Sequence, residues 1–182
     1  MTGVAGLLAL YETGGDRTYG EHVTITSHSL QCAALARSDG AGDALVASAL
    51  LHDIGHLIAD QQDDTGFRPD VDDDHHESVG AGVLATVLGP VVARPVALHV
   101  QAKRWRCTVE PSYLDALSDL SAASLKAQGG LLDRQERRRF ETHPGFTEAV
   151  ALRQWDDRAK IVDLSVPPLG TYQDLLERLV GR

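Results

Sequence analysis

The chain of 182 residues has the length of one compact domain, long enough to bury about 70% of its unfolded surface. It is 43% hydrophobic and 24% charged, which excludes a disordered polymer. No window reaches the ~18 consecutive apolar residues of a membrane span. Acidic residues outnumber basic ones 26 to 17, for a net charge of −9. Duplex-binding proteins need a basic footprint, so nucleic acid is not an expected partner. Cys32 and Cys107 make no disulfide framework, and no basic residues precede the short apolar run at 4–10. The expectation is a cytoplasmic protein without a signal peptide. The uncommon feature is 8 histidines beside the acidic surplus.

Helical periodicity dominates in chain order, with Gly and Pro as punctuation. Helices are predicted over residues 4–12, ending at Gly14-Gly15, and over 23–37, stopped by Gly40. A third is predicted over 42–56 with Asp43 as its N-cap. Residues 60–74 carry seven aspartates and Pro69 and read as a solvated loop. Further helices are predicted at 76–88 and at 91–103, with Pro90 suited to the start of the second. Shorter ones follow at 111–117 and 121–128, closed by Gly129-Gly130. Asp133 and Glu136 have the spacing of a capping box. The last two helices are expected at 147–160 and 172–180. Strand signals are scarce and no repeat or linker stands out, so the prediction is one all-α domain over 1–182.

The histidines fall into this pattern unevenly. Asp53 follows Val46, Ala49 and Leu50 at spacings of seven, four and three, so it continues an apolar stripe. His52 likewise continues Leu45 and Ala49. A bare His-Asp pair reads as a surface feature at a helix end. Within Leu51-His52-Asp53-Ile54-Gly55-His56 the ionisable residues face inward, and a buried carboxylate then needs a cation. His28 shares a stripe with Cys32 and Leu35, and His99 sits in the apolar run 95–100. Asp156 and Asp157 lie beside Ala149, Leu152 and Ala159. Singly, each is a weak signal, and His28 alone would more often be a satisfied core histidine than a ligand. Together they bring imidazoles and carboxylates from several helices, as in metal sites of helical bundles. Nitrogen and oxygen donors without Cys favour iron, manganese or zinc.

The pattern His28, His52-Asp53 and Asp156 resembles the H…HD…D signature of the HD-domain superfamily, whose fold is all-α. His76, opening His76-Glu77-Ser78-Val79-Gly80-Ala81, and His99 extend it. Six such ligands imply a buried dinuclear metal site with Asp53 as the bridge. The resemblance is closer still to the HD-domain mixed-valence diiron oxygenases of phosphonate degradation. It is carried by Tyr19-Gly20-Glu21, the segments 28–36, 51–56 and 98–104, Ser124-Leu125 with Gln128-Gly129-Gly130, and 152–160. These motifs occur in order across most of the chain.

That family implies cleavage of a carbon–phosphorus bond by O2 at a mixed-valence Fe(II)/Fe(III) pair. A 1-hydroxy-2-aminoethylphosphonate, or its N-methylated analogue, becomes glycine or a betaine plus phosphate. The substrate supplies all four electrons, so no nicotinamide, flavin or ferredoxin is implied. At matching positions, Lys103, Ser121, Ser124 and Arg153 would hold the phosphonate. Glu21 would face the amine, Tyr19 would gate the iron, and His56 would sit beside the ligands or touch substrate. No role falls to His22, His75 or His143.

The spacing of these residues is compatible with those roles. Lys103 is one turn after His99, Arg153 is three before Asp156, and Ser121 and Ser124 are three apart near a predicted helix start. The plain alternative for Lys103-Arg104 is a solvated helix end, as it is for the run Arg137-Arg138-Arg139. Two other functions share the HD pattern: a metal-dependent phosphohydrolase acting on a phosphoester or nucleotide, and a metal- or nucleotide-sensing module. Oligomeric state has no signal in the sequence.

Overall fold

The computed structural model describes residues 3–18, 22–60 and 75–181. Tyr19, Glu21 and most of the predicted acidic loop lie outside the described residues. Eleven α-helices and one 3-10 turn occur among the described residues, and no strand does. An isolated antiparallel bridge joins Thr18 to Thr24.

The first two helices are α1 (Gly3–Gly14) and α2 (Ile25–Ser38). Thr24 starts α2 by accepting the Ser27 N–H on its hydroxyl at 3.1 Å. Ile25, Ser29, Cys32 and Ala36 then form its buried stripe. Next, α3 (Asp43–Leu51) is buried on every side from Val46 to Leu51, which makes it the centre of the core. Its N-cap is Gly42 rather than the expected Asp43. Asp43 instead occupies the first helical position, where its charge complements the helix dipole.

The helix expected over 42–56 breaks at His52-Asp53, a two-residue turn after which α4 (Ile54–Asp60) begins. The carbonyls freed by the break find other donors. Tyr11 donates its hydroxyl to Leu50 O at 2.9 Å, and His52 Nδ1 lies 3.0 Å from Ala49 O. This is a helix C-terminus capped by side chains.

Next come α5 (His76–Val87) and the 20-residue α6 (Pro90–Val109). Between them Gly89 holds φ at 85°, a conformation only glycine adopts freely, and Pro90 fills the first helical position. α6 runs six residues past the predicted end at Lys103. Arg106 pairs with Glu110 at 2.9 Å across one turn, and Trp105 packs on Phe146, so the basic stretch is held by neighbours.

The remaining elements are α7 (Pro111–Asp115), α8 (Asp119–Ala127), α9 (Arg134–Glu141), α10 (Phe146–Arg158), a 3-10 turn at Leu169–Tyr172, and α11 (Gln173–Leu179). Ser118 caps α8, three residues earlier than the predicted start at Ser121. The capping box of Asp133 and Glu136 is present at α9 as expected.

α6 is the axis of the packing, with α3, α5 and α10 against it and α2 lying on α3 and α10. The main core draws on residues from Val4 to Leu179. Leu50, Leu84, Leu152 and Leu176 are fully buried there, each contributing about 2 kcal/mol of apolar burial. A smaller cluster of Leu132, Phe140, Ala102 and Ala149 closes the far side of α6.

Candidate metal centre

Five elements converge where α3 breaks. α2 brings His28, the break brings His52 and Asp53, α5 brings His76, α6 brings His99, and α10 brings Asp156. All four imidazoles and Asp156 are buried.

On one side, His28 Nε2 stands 3.2 Å from His52 Nε2 and 3.3 Å from Asp156 Oδ1. Asp53 closes this group through Oδ2, 3.2 Å from His52 Nε2 and 3.6 Å from His28 Nε2. On the other side, His76 Nε2 and His99 Nε2 are 3.1 Å apart. Asp53 reaches both through Oδ1, at 3.8 Å each. One carboxylate therefore faces two donor groups with its two oxygens.

The ring nitrogens decide what the cluster can hold. Nδ1 of His28 lies 2.9 Å from Ala159 O, and Nδ1 of His99 lies 2.7 Å from Val96 O. With the contact of His52 to Ala49, three imidazoles spend their Nδ1 proton on a main-chain carbonyl. Their Nε2 lone pairs then face one another and the carboxylates, which is repulsive unless a cation lies between. Donors about 2.1 Å from a metal ion stand about 3 Å from one another, the spacing seen here. The donor set fits a metal, with Nδ1–carbonyl contacts fixing each ring.

Charge balance agrees. Burial opposes ionisation throughout. It is outweighed at His28, which Cys32 and Asp156 hold well above the usual histidine range. It is also outweighed at His52, pushed up to about 9 by Asp53. Asp53 and Asp156 are held low, chiefly by His52 and by Arg153 respectively. The carboxylates thus demand positive charge beside them, and a metal supplies it in place of protons. His99 shows the opposite tendency: burial first, then His76 and His52, lower it to about 3. It is a neutral imidazole, as a ligand must be.

His56 stacks on His76 with centroids 3.8 Å apart, and a ligand atom of His56 lies within 4.8 Å of those of Asp53 and His76, so His56 borders this side of the cluster as a further potential donor. His75 is exposed at φ 49° while His76 is buried, so of these neighbours only His76 enters the cluster. Lys103, 4% exposed, donates to Ser124 Oγ at 2.7 Å and to Gln128 Oε1 at 3.3 Å. Burial, followed by Arg153, lowers it to about 8. Ser121 is half-buried at the start of α8 and gives its N–H to Ser118. Arg153 donates to Asp156 Oδ2 at 2.7 Å.

The sequence gives little notice of Tyr113, whose hydroxyl accepts from Arg153 Nε at 3.0 Å and donates to Asp157 at 2.9 Å. Those contacts span 40 and 44 residues. Cys32, a stripe residue within the segment 28–36, has its sulfur 3.8 Å from His28 Nε2 and within 4.8 Å of the His52 ring nitrogen, so a thiol borders the nitrogen and oxygen donors that the sequence led us to expect.

The HD domain family model matches residues 25–163, which includes every one of these donors. The chain belongs to the HD domain family. Within that family, a hydroxymethylphosphonate dioxygenase of Gimesia maris is 41% identical, over 96% of this chain and 86% of its own length. A glycine-betaine-forming [1-hydroxy-2-(trimethylamino)ethyl]phosphonate dioxygenase of Leisingera caerulea is 35% identical, over 95% and 88%. An uncharacterised protein of Acanthamoeba polyphaga mimivirus is 33% identical, over 93% and 78%. The HD reading of His28, His52-Asp53 and Asp156 thus falls in a chain with two relatives named as phosphonate dioxygenases.

Proposed function

We propose that this HD domain protein uses O2 to cleave the carbon–phosphorus bond of a small 1-hydroxyphosphonate, giving a carboxylate and phosphate. The observation that carries the proposal is the two-sided carboxylate of Asp53 in a chain with two relatives named as phosphonate dioxygenases. Both names place a hydroxyl on the carbon bonded to phosphorus. The substrate class of this chain is read from that shared feature, with the aminoethyl compound or its N-methylated form as alternatives to hydroxymethylphosphonate.

The metal is iron, as a mixed-valence pair. One ion would be held by His28, His52, Asp53 and Asp156, the other by His76, His99 and Asp53. Bound iron supplies the one-electron chemistry that O2 requires and a Lewis-acidic anchor for substrate oxygens. The atoms balance without a further reductant. A hydroxymethylphosphonate dianion and O2 give formate, hydrogen phosphate and a proton, so one oxygen atom ends on carbon and the other on phosphorus.

The surrounding residues bind and orient the substrate. Lys103 meets the phosphonate as a buried ammonium whose Ser124 and Gln128 partners fix its direction. An acidic protein needs such a local positive pocket to receive an anion. Ser121 would complete the phosphonate pocket together with the two Nη hydrogens that Arg153 does not give to Asp156 and Asp157, and His56 would line it beside His76. Glu21 faces the amine where the substrate has one, and Tyr19 gates the iron. The chain acts as one domain in the cytoplasm, where its two thiols stay reduced.

The test is phosphate release by iron-loaded protein from hydroxymethylphosphonate and from both aminoethyl compounds, with and without O2. Release that depends on O2, with an equivalent of carboxylate, is the expected result. Phosphate from a phosphoester without O2 would instead favour the phosphohydrolase, and binding without turnover the sensing module.

A further inference from the structure

Arg153 is 6% exposed and stands one helical turn before Asp156. Each of its three guanidinium nitrogens has a partner. Nη1 donates to Asp156 Oδ2 at 2.7 Å, Nε to the Tyr113 hydroxyl at 3.0 Å, and Nη2 to Asp157 Oδ1. Asp157 Oδ1 also accepts from the Tyr113 hydroxyl at 2.9 Å, while its Oδ2 accepts from Arg106 Nη1 at 2.7 Å. The Arg106 guanidinium covers the Tyr113 ring at 3.9 Å. Charges therefore alternate inward in the order Arg106, Asp157, Arg153, Asp156, and Tyr113 bonds the middle two.

Two consequences follow for Asp156. An arginine fixed at three points has no rotamer left to choose, so the carboxylate on its Nη1 is held in one orientation. Its Oδ2 is spent on Arg153, and its Oδ1 points at His28 Nε2, 3.3 Å away. The second consequence is electrostatic. A guanidinium paired with Asp156 alone would cancel the charge that a metal needs from that oxygen. Asp157 shares the guanidinium of Arg153, so its positive charge is divided between two carboxylates and Asp156 stays an anionic donor.

We propose that Tyr113 and Asp157 are positioning residues for the metal centre, acting through Arg153 to hold Asp156 as a donor on the His28 side. The inference rests on reading the six converging donors as a metal centre, but neither residue is itself a ligand. It makes α7, which carries none of the six donors, part of the support of one metal site and not of the other.

The experiment is anaerobic loading of the full chain with ferrous iron, followed by the rate of iron loss to a chelator and by Mössbauer spectra. The variants are Tyr113→Phe, Asp157→Asn, Asp157→Ala and Asp156→Ala. Tyr113→Phe keeps the ring under Arg106 and removes one oxygen, and thermal melts and circular dichroism of each variant verify its fold before loading. In Tyr113→Phe and Asp157→Asn, one of the two irons should leave about 10-fold faster and show an altered spectrum. The other should leave at the wild-type rate. Asp157→Ala, which removes both acceptors, should be worse than Asp157→Asn. Unchanged loss of both irons in Tyr113→Phe and Asp157→Asn, beside an Asp156→Ala that binds one, overturns the positioning role alone. Equal acceleration of both irons overturns it too, since that is general loosening. Two firmly held irons in Asp156→Ala would overturn the metal-centre reading itself.

Discussion

Gly55 packs directly against the main-chain carbonyl of His76, with no room for a Cβ between them. The obstructing atoms are all backbone, so no side chain can move aside for a larger residue. This contact sets the first turn of α5 on α4 and thereby the place of His76 relative to His99. Gly55→Ala should cost about 2 kcal/mol by overpacking, or about 4–8 °C in Tm for a chain of this size. It should also weaken retention of iron on the His76 side first. Thermal melts and metal analysis read both effects; an unaltered melting temperature would show that the contact yields at no cost.

Among the described residues, Asp53 is the carboxylate whose two oxygens face both donor groups. Asp53→Asn keeps the shape and removes the charge that balances a cation on each side. Iron content should fall from two per chain to one or none, and O2-dependent phosphate release should fall at least 100-fold, the upper range for residues supporting a metal site. Retention of two irons together with turnover in this variant would refute the bridging role.

Much of this centre is legible in the sequence for a physical reason. Ionisable residues at core spacing are costly, so His28, His52, Asp53, His99 and Asp156 stand out against the apolar stripes that carry them. The helices themselves follow from the same periodicity. The break at His52-Asp53 is not visible, because the apolar pattern runs on through Ile54. It is stabilised from elsewhere, by the Tyr11 hydroxyl on Leu50 O and by the tight seat of Gly55 on His76. The end of α6 is misplaced for a related reason: Lys103 and Arg104 resemble a solvated terminus. In the fold Lys103 is buried on Ser124, and Arg104 donates to Gly130 O at 2.8 Å. Tyr113 is a surface-like residue of a short helix until the fold brings Arg153 to it.

Lys103 gives a pH prediction whose sign follows from its burial. Its ordinary value is lowered to about 8, so in the free protein the ammonium is present below that pH and lost above it. For a phosphonate anion, kcat/KM should fall as pH rises through about 8, since kcat/KM reports the free enzyme. Lys103→Arg keeps its charge at every accessible pH and should flatten that decline, although its fork fits Ser124 less well. Lys103→Met should lose about 10- to 100-fold in kcat/KM at pH 7, the worth of a charge-assisted hydrogen bond. A wild-type profile that stays level from pH 7 to 9.5 would remove Lys103 from phosphonate binding.

Metal removal should be felt by the fold as well as by the reaction. The donors lie on α2, α5, α6, α10 and the α3–α4 break, so the unfolded chain has no such site and metal binding adds to folding stability. At free iron 100-fold above its dissociation constant, one site contributes about 2.7 kcal/mol, which corresponds to about 5–10 °C in Tm. Treating the protein with a chelator should lower its melting temperature by that amount or more, and ferrous iron should restore it. In Asp53→Asn the difference between chelated and iron-loaded protein should shrink to a few degrees, because neither donor group then has its full charge. Identical melts of wild-type protein with chelator and with iron would mean that the six side chains converge without holding a metal.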